Sequence, residues 1–474
     1  MLPALPTILY VAAAAAPPQP VTDLPGVPGG LPFAMYSGYV DVGSHGKIFY
    51  WFVESQSSTP KTDPVLLWTN GGPGCSGLIG FLTENGPFRP TAGGNLTLNP
   101  HAWNKLANMV YIEQPVGVGF SVANGVLKYD DAQAAADNLA FAKGFFKAFP
   151  QYAANDFYLT SESYGGHYLP TLAEAMVLDG GVPNFKGFLV GNPITWLTYV
   201  NYGMYGTFYG HQLLPKPLWD EYVAADCRNA SGLDPGPVCT GITKRMDALT
   251  SHLDPYGLDF PKCNGSPLLG SSSAGGERLG GGRRHERWTM MRAIRGGRRG
   301  RSEDQVGYPY FPADYQPCTS DWAIEYLSRK DVQAALHATP GGPTWKGNWS
   351  ACADIDYSQE SVAAPMMPVY QRLLRNGTLR MAIMSGDDDS VCATLGTQQF
   401  IWDLGLPVQS DWAPWYMEDG PDCPSGPACK QVAGYAVKFD GLSLVTVHGA
   451  GHLVPATRPS QGFEVLKRFL AGAI

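Results

Sequence analysis

The chain has 474 residues, of which 44% are hydrophobic and 16% charged, and its formal net charge is −8. This composition is typical of a globular protein and excludes a largely disordered one. Removing the nine arginines and single glutamate of residues 278–301 from the totals of 33 and 41 leaves 24 basic against 40 acidic residues, a net charge of −16. The folded body is therefore acidic, which argues against nucleic acid as a partner.

Residues 1–16 are predicted to be a secretory signal peptide, because a short apolar run at 8–16 ends in small residues. The segment has no basic start, so a wrongly assigned start of the chain stays as the alternative. No later run is apolar over about 18 residues, so no membrane span is expected. Secretion also fits nine cysteines and five N-x-S/T sequons, at Asn95, Asn229, Asn264, Asn348 and Asn376.

Short apolar runs predict buried strands at residues 65–68, 110–112, 157–159, 188–190, 381–384 and 444–447. Strands that are apolar on both faces belong to a mostly parallel sheet covered by helices. Residues 132–149 and 367–374 predict helices between them. In the first helix, spacings of three and four predict a stripe that faces the core, made of Leu139, Ala142, Phe146 and Phe149. The alternation predicts an α/β fold.

The alternation stops between residues 197 and 364, where tyrosines, cysteines and glycines accumulate. We interpret 197–364 as a cap inserted over the sheet, between core segments 32–196 and 365–474. Within it, residues 265–307 are rich in Gly, Ser and Arg and nearly lack apolar residues, so this segment is expected to be disordered. A linker, an excised peptide and an error in the gene model stay as alternatives.

Two loops that follow predicted strands contain residues suited to nucleophilic catalysis. Ser163 lies in Ser161-Glu162-Ser163-Tyr164-Gly165, which is similar to the G-x-S-x-G nucleophile elbow except that Ser161 replaces the first glycine. After the strand at 65–68, a Gly-Gly-Pro-Gly loop begins at Gly71 and lets backbone N–H groups approach a ligand, as an oxyanion hole requires. Without G-K-[ST], this loop is not a phosphate loop.

Two further polar loops follow the predicted strands at 381–384 and 444–447. The first contains three consecutive aspartates at 387–389, and the second contains His448 and His452. The H-x-x-x-H spacing occurs in metal sites, but the intervening glycines disfavour the helix such a site needs, so no metal or cofactor is expected. Polar loops at strand carboxyl ends form sites in open α/β sheets, and the order Ser, Asp, His is that of α/β-hydrolase triads.

Together the motifs WTNGGPGCSG, YIEQPVGVGFS, ESYGGHYLP, GDxDxxC and HGAGHLVP resemble those of the serine carboxypeptidase family. The resemblance covers residues 32–470, apart from the Arg-rich segment. It implies an α/β-hydrolase fold with a mostly parallel central sheet and an inserted cap. It also implies release of C-terminal amino acids at acidic pH from peptide substrates with a free C-terminus.

The resemblance implies a catalytic triad of Ser163 as nucleophile, Asp389 as acid and His452 as base. Asp389 is chosen because it lies three residues before Cys392, and the two preceding aspartates stay as alternatives. A loop-structuring role is the expectation for His448.

The resemblance also implies how the substrate is held. The backbone N–H groups of Gly72 and Tyr164 match the oxyanion hole. A second set matches the group that binds the substrate's terminal carboxylate, namely Asn70, the Gly71 N–H, Glu84 and Glu162.

A disulfide between Cys75 and Cys352 is implied by the resemblance, as a tether between core and cap. Proximity in sequence alone predicts the other pairs, Cys227–Cys239, Cys263–Cys318 and Cys423–Cys429, although connectivity cannot be deduced from sequence. Cys392 is then left as a free thiol near the triad.

Two other functions stay open. The first is an acyltransferase that uses glucose esters, although such relatives tend to alter the glutamate at the position of Glu162. The second is a catalytically silent protective homologue, which the intact triad disfavours. Whether the protein is secreted or resides in a vacuole or lysosome stays open, and so does a homodimer.

Overall fold

The structure is a computed structural model that describes residues 18–126, 128–263, 315–343, 345–418 and 430–474. The predicted signal peptide, the Gly/Arg-rich segment 265–307, Asn264 and the predicted Cys423–Cys429 pair lie outside these residues. Among the described helices, none combines the length and hydropathy needed to span a bilayer.

The strands of the described residues are, in chain order, β1 Gln19–Pro20, β2 Met35–Asp41, β3 Gly46–Val53, β4 Val65–Thr69, β5 Phe88–Pro90, β6 Leu96–Leu98, β7 Asn108–Glu113, β8 Val122–Ala123, β9 Lys128–Tyr129, β10 Phe157–Glu162, β11 Phe185–Gly191, β12 Asp356–Tyr357, β13 Arg380–Gly386, β14 Val408–Glu418, β15 Lys430–Phe439 and β16 Leu442–Val447.

A 12-stranded sheet forms the centre of the fold, in the order β1-β2-β3-β7-β4-β10-β11-β13-β16-β15-β14, with β8 paired to β3. The block β7-β4-β10-β11-β13-β16 is parallel throughout and contains all the predicted strands. The outer strands pair antiparallel. The predicted α/β-hydrolase class, with a mostly parallel central sheet, is confirmed.

The α-helices of the described residues are α1 Asp131–Ala148, α2 Gly165–Asp179, α3 Leu197–Gly210, α4 Lys216–Ala224, α5 Gly236–Thr250, α6 Thr319–Ser328, α7 Lys330–Ala335, α8 Gln359–Ala363, α9 Met367–Asn376, α10 Thr394–Asp403, α11 Val454–Thr457 and α12 Pro459–Ala471. A π-helix spans Gly80–Glu84, and 3-10 turns lie at Gly43–His45, Trp103–Lys105, Pro150–Tyr152 and Cys227–Asn229.

Helix α1 shows how local sequence sets an element. Asp130 caps its start, where the side chain accepts a hydrogen bond of 2.7 Å from the Gln133 N–H. The helix ends before Pro150, whose ring cannot continue it. The predicted stripe is buried at Ala142, Phe146 and Phe149 and only partly buried at Leu139. Phe141 and Phe145 complete the buried face.

Two apolar clusters cover the two faces of the sheet. In β4, Leu67 belongs to one cluster, whereas Leu66 and Trp68 belong to the other. Helices α1, α2 and α9 contribute to the first cluster, and α6 and α12 to the second. Side chains alternate between the two faces along a strand. A strand that is buried on both faces therefore has apolar residues at consecutive positions, as the central strands do.

The segment predicted as a cap divides into two parts. Helices α3, α4 and α5 pack around a small separate cluster that includes Tyr222, Met246 and the buried Cys227 and Cys239. Helices α6 and α7 instead join the cluster on the second face of the sheet. The boundaries at 197 and 364 stay a prediction.

Glu113, the last residue of β7, anchors a loop at the carboxyl edge of the sheet. Its carboxylate accepts hydrogen bonds from Ser76 Oγ at 2.6 Å, Trp349 Nε1 at 2.7 Å and the Phe120 N–H at 2.6 Å. Burial raises its pKa to about 7, although these donors oppose the rise. Glu113 therefore binds a proton more tightly when the chain is folded.

This pKa predicts how stability depends on pH. Since the folded pKa lies above the ordinary value of 4.5, the protonated form contributes fully below that value and its contribution is lost as pH rises through the folded pKa. The contribution of this proton to the free energy of unfolding is about 3 kcal/mol. We expect Glu113→Gln, measured by urea unfolding at several pH values, to remove this slope. It should also lower stability at acidic pH, because an amide cannot accept from all three donors.

The matched control is Glu174→Gln, whose carboxylate pairs with Arg372 at the surface. Parallel pH profiles of Glu113→Gln and the unsubstituted protein would contradict the prediction.

Candidate active site

Polar residues follow five adjacent parallel strands at the carboxyl edge of the sheet. They are Asn70 after β4, Ser163 after β10, Asn192 after β11, Asp387 after β13 and His448 after β16. Since neighbouring strands are hydrogen-bonded in this order, loops that are far apart in the chain converge at one edge.

Ser163 occupies a sharp turn between β10 and α2. Its φ is +60°, in the left-handed region that residues other than glycine seldom adopt. Backbone hydrogen bonds hold the turn: the Ser163 N–H donates to Gly191 at 3.0 Å, and its carbonyl accepts from Gly166 at 2.9 Å and Ile194 at 2.8 Å. This strained conformation is the one that a nucleophile elbow uses to lift its serine off the sheet.

The departure from the elbow motif at Ser161 has a local explanation. A Cβ at Gly165 would lie 2.1 Å from Ser161 Oγ. The Ser161 hydroxyl therefore occupies space that is free only because residue 165 is glycine. One small side chain at the first position is tolerated when the second has none.

His452 and Asp389 form a buried pair. His452 Nδ1 lies 2.7 Å from Asp389 Oδ2, and their side chains are 2% and 0% exposed. Asp389 also accepts hydrogen bonds from the N–H groups of Val391 at 2.7 Å and Cys392 at 3.1 Å, and from Asn192 Nδ2 at 2.8 Å. These donors orient the carboxylate so that it holds the imidazole in a single tautomer, with its other nitrogen left to accept a proton.

The alternative residues lie in different surroundings. His448 pairs with Asp387 at 2.8 Å, but its side chain is 72% exposed. Asp387 also accepts from the Gly449 N–H at 2.6 Å, so this pair holds the turn after β16. Asp388 accepts a hydrogen bond of 3.1 Å from the Asp259 N–H, and burial raises its pKa to about 7.

Cys392 connects Ser163 with the His452–Asp389 pair. It is a free, buried cysteine, and the Ser163 side chain is close enough to influence the pKa of its thiol. Donor atoms of Cys392, Asp389 and His452 lie within 4.8 Å of one another. Burial, followed by the Asp389 charge, raises the thiol pKa well above its ordinary value. The sulfur is therefore protonated at acidic and neutral pH, and soft metal reagents that reach it would block the histidine.

The Gly-rich loop touches the Ser163 turn. A Cβ at Gly71 would lie 2.4 Å from the Tyr164 nitrogen and 2.8 Å from Ser163 Cβ, so only glycine permits this approach. Gly72 has a φ of +113°, a further position that favours glycine. Among the described residues, neither the Gly72 nor the Tyr164 N–H donates to another protein group. Both remain available to a ligand oxygen.

A buried polar cluster includes Glu162, the residue that precedes Ser163 in sequence. Asn70 Nδ2 donates to Glu84 Oε1 at 2.9 Å and to Glu162 Oε1 at 2.8 Å. The amide is oriented by Trp68 Nε1 and the Gly80 N–H, which donate to Asn70 Oδ1 at 2.8 and 3.0 Å. The two glutamates are 1% and 5% exposed. The structure thus brings three of the predicted carboxylate-binding side chains together, beside Gly71.

Asn70 holds the two carboxyl groups of this cluster close together, and the Oε2 atom of each is buried without a hydrogen-bond partner among the described residues. Burial raises the pKa of Glu84, and burial together with the Glu84 charge raises that of Glu162 well above its ordinary range. A protonated carboxyl group is a hydrogen-bond donor, so at acidic pH the cluster can present donors to a second carboxylate.

Sequence reasoning missed Asn192. It lies after β11, a strand to which no function was given, and its side chain contacts both Asp389 and the Gly386 backbone, whose N–H donates to Asn192 Oδ1 at 3.0 Å. Its φ of +38° was also not foreseen. A polar residue at the carboxyl end of a predicted parallel strand was the signal that could have identified it.

Three of the predicted cysteine pairs are disulfides in the structure: Cys75–Cys352, Cys227–Cys239 and Cys263–Cys318. The first joins the Gly-rich loop to the segment that follows Trp349. The four described sequon asparagines are all exposed, at Asn95, Asn229, Asn348 and Asn376.

The model of the family described as serine carboxypeptidase matches residues 25–472. The chain belongs to the serine carboxypeptidase family. It is 35% identical over 473 residues to serine carboxypeptidase-like 26 of Oryza sativa subsp. japonica, covering 95% of this chain and 90% of that protein. It is also 35% identical over 462 residues to p-(S)-hydroxymandelonitrile lyase of Sorghum bicolor, covering 95% and 83% of the two chains.

Among solved structures, this member of the family is similar to a prohormone-processing carboxypeptidase from Saccharomyces cerevisiae. The TM-score is 0.71 at 19% identity, and the match covers 95% of this chain and 94% of that one. At this identity the likeness supports the fold. The family assignment rests on the sequence matches.

The pairing of His452 predicts which aspartate matters for activity. Asp389→Asn should lower kcat by about 10⁴-fold, because an amide can stabilise the wrong imidazole tautomer. Asp388→Asn should cost much less, because Asp388 does not contact His452. Activity toward a blocked dipeptide, with circular dichroism as the check on folding, measures both. A larger loss in Asp388→Asn would assign the acid to that residue instead.

Proposed function

We propose that this protein is a serine-type carboxypeptidase that releases C-terminal amino acids from peptides at acidic pH. The observation that carries the proposal is the buried cluster of Asn70, Glu84 and Glu162 immediately before Ser163. A hydrolase that needs only a nucleophile, a base and an oxyanion hole has no use for two buried carboxyl groups beside its serine. An enzyme that must bind a substrate's terminal carboxylate has such a use.

In this proposal the triad acts first. Ser163 Oγ attacks the carbonyl carbon of the last peptide bond as its proton passes to His452. Asp389 holds the imidazole and stabilises its positive charge. The N–H groups of Gly72 and Tyr164 bind the developing oxyanion, and each such donor contributes about 3 kcal/mol to the transition state.

The tetrahedral adduct then collapses. The peptide C–N bond breaks as His452 returns its proton to the leaving nitrogen, which frees the C-terminal amino acid and leaves an ester on Ser163. Water attacks the ester while His452 takes its proton, and the acid product leaves with Ser163 restored. Asn70, the Gly71 N–H and the protonated member of the Glu84–Glu162 pair fix the terminal carboxylate during the first step.

Two alternatives use the same residues differently. An acyltransferase would pass the Ser163 ester to an alcohol rather than to water, and a silent homologue would form no ester. The unaltered Glu162, with its carboxyl group in the cluster, favours peptidase activity over acyl transfer. Because a lyase is among the relatives, the activity needs a direct assay. One preparation of the protein should be tested with blocked dipeptides, with an acyl-glucose ester plus an alcohol, and with a cyanohydrin.

We further propose passage through the secretory pathway, to the exterior or to a vacuole or lysosome. The disulfides of the structure and the exposed sequon asparagines support this route. The acidic pH of a vacuole or lysosome would also keep a proton on the Glu84–Glu162 pair.

Substitution of the proposed nucleophile tests whether Ser163 performs the reaction. Ser163→Ala should abolish peptidase and esterase activity and prevent labelling by a fluorophosphonate, because it removes only the attacking oxygen. Ser161→Ala, which removes a nearby hydroxyl from the same strand, is the matched control and should keep both properties. Labelling that persists in Ser163→Ala would place the reactive serine elsewhere, and an unlabelled but folded parent protein would favour the silent homologue.

The proposed carboxylate-binding cluster should make substrate binding depend on pH. Because the raised pKa values keep a proton in the Glu84–Glu162 pair, the pair donates at acidic pH and repels a carboxylate once both groups ionise. KM for a peptide with a free carboxylate should therefore rise between about pH 5 and 8. In Glu162→Gln the rise should flatten, since an amide donates at every pH.

The control for this experiment is a substrate whose C-terminus is amidated, for which KM should change little with pH. The carboxylate-binding assignment is wrong if Glu162→Gln keeps the full pH dependence, or if free and amidated substrates behave alike. A trend seen only in kcat would report His452 instead.

A further inference from the structure

A second group of ligand-type side chains lies beside the candidate active site and takes no part in the proposed reaction. His211 follows α3, Asp259 lies in the segment after α5, and Asp388 lies in the loop after β13. One ring nitrogen and two carboxylate oxygens from these residues lie within 4.8 Å of one another. Three segments that are far apart in the chain thus converge on one point.

Asp388 is the buried member of the group, with 2% of its surface exposed. Its Oδ2 accepts from the Asp259 N–H at 3.1 Å, but within the described residues its Oδ1 has no hydrogen-bond partner. The backbone is held on both sides, because the Asp388 N–H donates to Ala450 at 2.8 Å and its carbonyl accepts from Leu258 at 3.2 Å. A buried carboxylate oxygen without a hydrogen-bond partner is costly, and the backbone bonds keep this residue at its buried position.

His211 and Asp259 complete the group from the side nearer the solvent. His211 is partly exposed and Asp259 is exposed. In the described part of the chain, the His211 ring forms no ion pair or hydrogen bond with either aspartate, although their donor atoms are within 4.8 Å. The three groups therefore converge without satisfying one another. Ligand atoms around a tetrahedral zinc ion are about 3.4 Å apart, so small rotations of the two more exposed side chains would close the site.

We propose that His211, Asp259 and Asp388 bind a zinc ion. One imidazole nitrogen and two carboxylate oxygens suit a borderline divalent ion, whereas magnesium and calcium prefer an all-oxygen site. The ion supplies the partner that Asp388 Oδ1 lacks, and solvent completes its coordination on the exposed side. Aspartates 387 and 389 flank Asp388 in sequence, so negative charge around the site adds to its attraction for a cation.

The site has a structural consequence. The bound ion would connect two segments of the region 197–364 to the loop after β13. That loop also contains Asp389, the proposed acid of the triad. Zinc should therefore stabilise the packing of that region on the loop, and the stability of the folded protein should increase with the logarithm of the free zinc concentration once that concentration exceeds Kd. This inference does not depend on the proposed peptidase activity, since binding and unfolding are measured without substrate.

The test uses the full-length protein after removal of metal with a chelator. Zinc chloride is titrated by calorimetry, and Tm is measured with and without zinc. We expect one zinc per chain and a higher Tm. In His211→Ala and Asp259→Asn the affinity should fall at least about tenfold, because the loss of a residue that only supports a metal ligand already costs about that much. Both residues reach the surface, so equal Tm values of the metal-free proteins would show that folding is intact.

The matched control is His252→Ala, which removes an exposed histidine just after α5 and should leave binding unchanged. The other candidate site is Cys392 with Asp389 and His452. Cys392→Ser and the spectrum of the cobalt-substituted protein distinguish the two, because only a thiolate ligand produces a sulfur-to-metal charge-transfer band. An unchanged zinc affinity in His211→Ala, loss of binding in Cys392→Ser, or no binding by the parent protein would overturn the proposal.

Discussion

The contact between residues 70–72 and the turn at Ser163 controls how closely the ends of β4 and β10 can approach. A Cβ at Gly71 would lie 2.4 Å from the Tyr164 nitrogen, so this approach requires a residue without a side chain. It brings the backbone donors of the Gly-rich loop, the strained serine and the Asn70 amide to one place. The cluster before Ser163, the proposed oxyanion hole and the proposed nucleophile all depend on it.

Buried carboxyl groups near this contact are stabilised in different ways, and the number of available donors decides which. Asp389 is hydrogen-bonded to two backbone N–H groups, the Asn192 amide and His452. Glu84 and Glu162 receive one amide between them, and their raised pKa values mean that the pair retains a proton. One edge of the sheet therefore carries an acid surrounded by donors, which orients His452, next to a pair of carboxyl groups that can itself donate a hydrogen bond.

The region 197–364 is joined to this edge as well as to the second face of the sheet. The Cys75–Cys352 disulfide and the Trp349–Glu113 hydrogen bond connect it to the Gly-rich loop and to β7. The proposed zinc site would add a connection at the loop after β13. The disulfide and the proposed zinc site both reach loops that carry site residues, so changes in the packing of this region would affect the candidate active site.

The central strands and the Ser163 turn could be predicted from sequence because the signals are local. Runs that are buried on both faces are continuously apolar, and a turn such as Ser161–Gly165 needs small residues at set spacing. Among the antiparallel outer strands that were missed, β2 and β15 are partly exposed and have no continuous apolar run, whereas β3 has a buried apolar run at residues 48–53 that was overlooked. The choice of Asp389 over its neighbours came from the resemblance, through its spacing from Cys392. The role of Asn192 depended on the tertiary structure, because strand order brings it into contact with Asp389, 197 positions away.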